Sequence, residues 1–496
     1  MVRRSTNKLS VLMLSWEFPP RIIGGISSHV YDLGRALART GINVHVVTCD
    51  FPEAQEYEED GGIHVYRFDS YIPSRDFLSW IFSMNRNMTQ RAVEVIDSHG
   101  GMVDIIHAHD WLVAKAAIDL KYLYGKPILS TIHSTEAGRR GGLSNEYQRT
   151  INDVEKQLVN ESSRVICCSR YMADQVCWAF GIPQDKVQVI PNGVDASKFD
   201  RKVNYDVVRR QYVEPEEKLV LFVGRLVHEK GVHVLIGAIP KVLSALPKVK
   251  LIIVGEGGMK EYLLKEAWDF GITHEVFFTG FLDEDTLISL YKVSDVCVVP
   301  SLYEPFGITA LEAMAASTPV VASDTGGLSE IIEHDKTGVK TYPNNSDSLA
   351  WAITKLLKDR VYAEGIRKSA YRSVLRDYNW EKIAQETINI YYQVSASVQP
   401  KSDTIPQVSF PLLKFGEYSP EFRFLLFLQA SGVIRRENAK SVDELSEISG
   451  MKVAEVQLLL QKLMKLGYVE SYKDRLRRRL YYLTKTGIIK ACSLFS

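Results

Sequence analysis

What most restricts the fold of this chain is a regular alternation of short, wholly apolar runs with amphipathic stretches. "LSVLMLSW" (9–16) precedes "SSHVYDLGRALART" (27–40), in which Val30, Leu33 and Leu37 recur at helical spacing and Gly41 closes the pattern. "NVHVVTCD" (43–50), "VDIIHAH" (103–109), "PILSTIH" (127–133) and "RVICCS" (164–169) continue the series, each trailed by helical sequence. These runs lack the in-out alternation of a sheet with one wet face, so their strands are buried on both sides. Parallel sheets covered by crossover helices have this signature. After the polar stretch "NGVDASKFDRKVNYD" (192–206) the pattern restarts with "KLVLFVGRL", "VKLIIVGEG", "EVFFTGFL", "DVCVVPSL" and "PVVASDTGG". The fold class is therefore α/β, with two doubly wound, Rossmann-like domains predicted at 1–200 and 201–378. A helix at 379–397 ends the second series.

A Ser/Pro/polar linker is predicted at 398–410, within "SASVQPKSDTIPQ". The tail, 411–496, follows a different pattern. "EFRFLLFLQ", "SVDELSEI" and "KVAEVQLLLQKLMKLG" read as three helices, and "YVESY" and "RRRLYYLT" as a hairpin. Three helices plus a hairpin resemble a winged helix-turn-helix domain. Its hairpin, "KDRLRRR" (473–479), is basic, whereas the third helix exposes Glu455 beside Lys452, Gln457 and Lys462. Nucleic-acid contact and protein contact both fit this surface.

The balance of 60 basic and 60 acidic residues gives a formal net charge of +0, so no global field draws the chain to nucleic acid or a membrane. Cys49, Cys167, Cys168, Cys177, Cys297 and Cys492 form no CxxC pair and lie mostly in apolar runs, as buried thiols do in a reducing compartment. The apolar run near the N-terminus, Val11 to Leu14, is too short for a signal peptide, and no run reaches 18 apolar residues. The expected location is cytoplasmic.

In open parallel sheets ligands bind beyond the carboxyl ends of the strands, and the unusual residues of this chain fall there. Gly24 and Gly25 in "PPRIIGGIS" permit a close backbone approach or a plain tight turn. "HAHDW" places His107, His109, Asp110 and Trp111 at a strand end. Two histidines and an aspartate suit a metal, but no further ligand set with matching spacing accompanies them, so no metal is expected. A sugar-contacting loop fits better: Asp110 accepts from hydroxyls and Trp111 offers a flat face. His133 and Glu136 close the strand of "TIHSTEAGRRGG" in the same manner.

In the second series, Arg225 and Lys230 of "GRLVHEKG" stand five apart between two glycines, an arrangement suited to a diphosphate. Gly255 of "VGEGG" supplies another close-approach turn. In "SLYEPFGITALEAMA" (301–315), a helix starting near Gly307 aims the amides of Gly307, Ile308 and Thr309 at an anion. Glu304 lies just outside that helix and Glu312 about a turn and a half inside. A ribose diol is the natural partner of Glu312; the alternative is a helix glutamate satisfied by an arginine. "DED" (283–285) mimics a DxD metal motif, but it opens a helix, where acidic residues are expected for capping.

As a set, "WEFPPRIIGGISSHVYDL", "HAHDW", "STIHSTE", "VIPNGVD", "GRLVHEKG" and "EPFGITALEAMA" resemble the retaining GT-B glycosyltransferases of group 1 (family 4), glycogen or starch synthase-like, over roughly residues 10–395. The resemblance implies an N-terminal acceptor domain and a C-terminal nucleotide-sugar donor domain around a cleft, with a helix crossing back to the first domain. It assigns Arg225 and Lys230 to the diphosphate, Glu304 to the donor sugar, and Gly307, Ile308 and Thr309 to the distal phosphate. Glu312 falls to the ribose, His133 to the sugar 6-hydroxyl, Asp110 to the acceptor side and Gly25 to the phosphate. The implied mechanism has no protein nucleophile, and neither cofactor nor metal. The first loop departs from the usual Lys-x-Gly-Gly of glycogen synthases, carrying Arg21-Ile-Ile-Gly24-Gly25 instead. The expected reaction is glucosyl transfer from ADP- or UDP-glucose to an α-glucan. Alternatives are a family 4 enzyme making another glycoside, an acceptor-independent epimerase, and a nucleotide-sugar sensor acting through the tail.

Overall fold

The computed structural model describes residues 8–71, 74, 76–396, 419–431, 433, 436–474 and 477–492. The predicted linker at 398–410 and the first residues of the tail lie outside them. Two compact units emerge. One contains residues up to 131, 143–165 and those from 389 onward; the other contains 132–142 and 166–388.

The first strand series forms β1 (Ser10–Ser15), β2 (Asn43–Cys49), β3 (Tyr57–Asp60), β4 (Ile63–Phe68), β5 (Ile105–His109), β6 (Ile128–Ile132), β7 (Arg164–Cys167) and β8 (Val187–Val189). Their order in the sheet is β3-β4-β2-β1-β5-β6-β7-β8. β1 pairs in parallel with both β2 and β5, while β3 runs antiparallel to β4 at the edge. That hairpin and the long helix Phe77–Ser98 lie outside the sequence expectation of parallel strands alone. Its turn is Gly61-Gly62, both at positive φ, which admits glycine readily.

The second series forms β9 (Lys218–Val223), β10 (Val249–Val254), β11 (Val276–Gly280), β12 (Val296–Val299), β13 (Val320–Ser323) and β14 (Val339–Thr341). All neighbours are parallel, in the order β11-β10-β9-β12-β13-β14. Strand order reverses at β1/β5 in one sheet and at β9/β12 in the other, and ligands bind such sheets at the reversal. Helix Val232–Ala245 buries Leu235, Ile236 and Ile239 against strand residues such as Val220, Leu251 and Val298, forming one continuous core.

The predicted helix at 379–397 is observed at Trp380–Ala396. In the tail, helices Pro420–Ala430, Val442–Ser449 and Val453–Lys465 precede an antiparallel pair, β15 (Val469–Lys473) and β16 (Arg479–Leu483). A fourth helix, Lys485–Cys492, follows; the sequence reading has no counterpart for it. Within the hairpin, Arg478 Nε is paired with Asp474 at 2.8 Å, which neutralises part of the basic run. No described helix is long and apolar enough to cross a membrane.

Candidate active site

The reversal at β9/β12 carries a dense set of charges. Beyond β9 the chain turns through Gly224 to Arg225 and reaches Lys230 on a short 3-10 turn, His228–Lys230. Beyond β12 it runs through Ser301 to Glu304 and then into helix Ile308–Ala315. The two loops are tied together by backbone: the Glu229 carbonyl accepts from Leu302 N at 2.8 Å and Tyr303 N at 3.3 Å. Lys230 Nζ then meets Glu304 Oε2 at 2.7 Å, and buried Ser301 donates its hydroxyl to the same oxygen at 2.9 Å. Arg225 lies 3.8 Å from Glu229. Arg225, Lys230 and Glu304, assigned separately from the sequence, thus share one constellation, about a fifth or less of each side chain being exposed.

Glycines make the close passages possible. A Cβ on Gly231 would sit 2.0 Å from the Pro300 carbonyl oxygen, and one on Gly326 would sit 2.1 Å from that of Glu304. Gly255, expected to approach a ligand, instead passes the Gly224 carbonyl, 2.0 Å from where its Cβ would be. Gly307, at φ 118°, caps helix Ile308–Ala315 with no side-chain bond. The helix's first backbone bonds run from Ala310 and Leu311 to Gly307 O, so the amides of Gly307, Ile308 and Thr309 form the open turn. An anion there would meet both donors and the positive end of the helix.

Glu312 sits deeper. Its Oε2 accepts from the hydroxyl of buried Tyr291 at 2.8 Å. Burial, and next the Glu312 charge, push the Tyr291 hydroxyl well above its usual range; the same causes raise the Cys297 thiol. Tyr291 therefore stays protonated and holds the Glu312 carboxylate in place. In "DED", Asp283 accepts from Thr286 N at 2.9 Å and caps helix Glu284–Val293.

His133 and Glu136 belong to segment 132–142, which counts with this second unit. Glu136 is buried and forms ion pairs with Arg139 at 3.0 Å and Arg140 at 3.4 Å, so its charge is absorbed within helix Glu136–Arg140.

The reversal at β1/β5 is built differently. Buried Glu17, which the sequence reading passed over, accepts from the amides of Ile23 at 2.7 Å and Gly24 at 2.8 Å. The Gly24 amide is spent on that carboxylate, and the helix begins at Gly25 rather than near Ser27. Arg21 is wholly buried, its guanidinium 5.6 Å from the Trp16 ring centroid.

Asp110 adopts φ 60°, an uncommon value for a residue with a side chain, and is buried at the end of β5. His109 is fully buried with its ring against His107 and His29. Trp111, expected to face a sugar, is only 2 % exposed and packs its edge on Phe77; the apolar sequence that follows it draws it into the core. His107 bonds Tyr391 and Thr131, each at 2.8 Å, and burial holds its pKa down to about 3.

The β9/β12 reversal thus gathers two cations, the Glu304 carboxylate and a helix N-terminus without a side-chain cap. Comparison with known proteins identifies the family. Residues 23–198 match the model of Glycosyltransferase Family 4, and residues 205–373 that of Glycosyl transferases group 1. An uncharacterised glycosyltransferase of Methanocaldococcus jannaschii is 42 % identical over 391 residues, 77 % of this chain and 98 % of that protein. A glycogen synthase of Mycobacterium tuberculosis is 35 % identical over 418 residues, covering 82 % and 99 %. Among solved structures, sucrose-phosphate synthase from Thermosynechococcus elongatus superposes with a TM-score of 0.67 at 26 % identity, over 79 % of this chain and all of that one. The chain belongs to the group 1/family 4 glycosyltransferases of GT-B fold and is a hexosyltransferase.

Proposed function

We propose that the enzyme transfers a glucosyl unit, with retained anomeric configuration, from ADP- or UDP-glucose to an α-glucan. One observation carries the reading: Lys230, Glu304 and Ser301 form a single bonded cluster beside Arg225, at the strand reversal that the open turn of helix Ile308–Ala315 also follows. A diphosphate bound there receives two cations and backbone donors, so its leaving charge is stabilised where it develops. Lys230 exchanges its Glu304 partner for phosphate oxygen, which releases the Glu304 carboxylate to accept from sugar hydroxyls. Glu312, oriented by Tyr291, accepts from the ribose diol. His133 serves the sugar 6-hydroxyl and Asp110 the acceptor.

In the reaction, the bond from C1 to the phosphate oxygen breaks as the acceptor oxygen bonds C1 on the same face. The acceptor proton passes to the departing diphosphate, so atoms and charge balance without a protein nucleophile, cofactor or metal. The glucan acceptor is supported by the length and identity shared with the M. tuberculosis glycogen synthase.

The test is a donor and acceptor screen: UDP- and ADP-glucose against glycogen, maltose and monosaccharides, with product linkage read by NMR and with EDTA present. The expected result is an α-linked extended glucan whose yield EDTA leaves unchanged. Transfer to non-glucan acceptors alone, or diphosphate release that ignores the glucan, would overturn it.

A further inference from the structure

Segment 132–142 counts with the second unit, although the chain before 132 and the stretch from 143 to 165 count with the first. What fastens it there is specific. Buried Thr135 caps helix Glu136–Arg140, accepting from Gly138 N at 3.1 Å, and donates its hydroxyl to Gln175 Oε1 at 3.1 Å. The hydroxyl of Tyr303 donates to that same Gln175 oxygen at 2.9 Å and lies 3.5 Å from Met172 Sδ. The Tyr303 ring passes so close to Gly138 that a Cβ there would fall 2.3 Å from the hydroxyl oxygen and 2.4 Å from Cζ. The Tyr303 side chain is buried and its hydroxyl is held by Gln175 and Met172, so a Cβ at Gly138 would have to displace a tethered ring. Helix Glu136–Arg140 therefore rests directly on the residue preceding Glu304.

We propose that Tyr303 is a positioning residue: through Gly138 and the shared Gln175 contact it clamps the segment bearing His133 and Glu136 onto the loop bearing Glu304. The acceptor-side segment then holds its place only while the donor loop holds its own. A purely space-filling aromatic would need neither the hydroxyl bond nor a glycine opposite it. This inference rests on the functional reading above.

The test uses the full chain and two variants. Tyr303→Phe keeps the ring and removes the hydroxyl with its contacts to Gln175 and Met172, and Gly138→Ala inserts the forbidden Cβ. Hydrogen–deuterium exchange of amides 134–142 is followed without and with UDP or ADP, alongside KM for donor and for glycogen. In Tyr303→Phe, exchange over 136–142 is expected to rise by about 5-fold, the range set by one lost hydrogen bond. KM for the nucleotide-sugar donor and for glycogen should both rise by a similar factor, because His133 is placed at the donor sugar, while affinity for UDP and ADP, which lack that sugar, stays within about 2-fold of wild type. Gly138→Ala should exceed both changes. Wild-type exchange over 136–142 in both variants would overturn the clamp. If the wild type binds neither nucleotide, the functional reading fails instead, while the nucleotide-free exchange comparison still decides the clamp.

Discussion

The two strand reversals share one topology and differ in what they do with charge. At β9/β12, polar groups are kept partly exposed and paired with groups a ligand can replace: Lys230 with Glu304, Arg225 with Glu229. At β1/β5, the same kind of position is sealed. Glu17 is committed to two backbone amides, Arg21 is buried against Trp16, and His107 is locked between Tyr391 and Thr131. A doubly wound sheet thus supplies a crevice but not its chemistry. The β9/β12 crevice presents charged side chains in solvent-accessible ion pairs, and the β1/β5 crevice spends most of its polar groups on the protein itself.

The sharpest break in that comparison comes from substituting one residue on each side. Lys230→Ala should cost about 10²- to 10³-fold in kcat, the range for removing one preorganised donor to developing charge, with circular dichroism and Tm nearly unchanged. Glu304→Ala should behave alike. Glu17→Ala should do the reverse: leaving the buried Ile23 amide and the part-buried Gly24 amide without their acceptor costs roughly 1–3 kcal/mol of stability, read as a lower urea midpoint, while nucleotide affinity persists.

Acid separates the two regions next. The pKa of His107 is held near 3 and that of His45 near 4, burial being the chief cause in both, and both lie in the first unit. The unfolded chain protonates these rings near pH 6.5 and the folded chain does not, so their neutral burial is fully tolerated above that pH. Stability then falls as pH drops through the window from about 6.5 to 3, by roughly 2 kcal/mol per histidine at pH 5. Urea midpoints from pH 8 to 4 check this, and His45→Asn should flatten the acid limb. The smallest effect is expected for Tyr291→Phe. Loss of its bond to Glu312 should raise donor KM about 5-fold and leave kcat near wild type.

The sequence made the sheets legible because a strand buried on both faces must be apolar throughout, and it made the E-P-F-G segment legible because Pro305 and Gly307 mark where a helix begins. Other features left no such trace. Trp111 looks like a sugar platform in a one-dimensional reading, yet the apolar residues 112–114 carry it inward. The hairpin of β3 and β4 hides in a charged run, "YEEDGGIHVYRF", whose only signal is its glycine pair. Glu17 reads as an acidic residue interrupting an apolar run, and only folding reveals the amides it satisfies. Gly255 is conspicuous in "VGEGG", but its constraint comes from the Gly224 carbonyl, 31 residues earlier in the chain. Long-range pairing of this kind has no local signature.

The central claim is that the second reversal holds the distal phosphate of a nucleotide. Isothermal titration of UDP against UMP, and of ADP against AMP, into wild type and Lys230→Ala tests it most directly. The wild type should bind the diphosphate at least about 10-fold more tightly than the monophosphate, the scale of a charge-assisted contact, and the variant should lose most of that preference. An undiminished preference for the diphosphate in Lys230→Ala would contradict it.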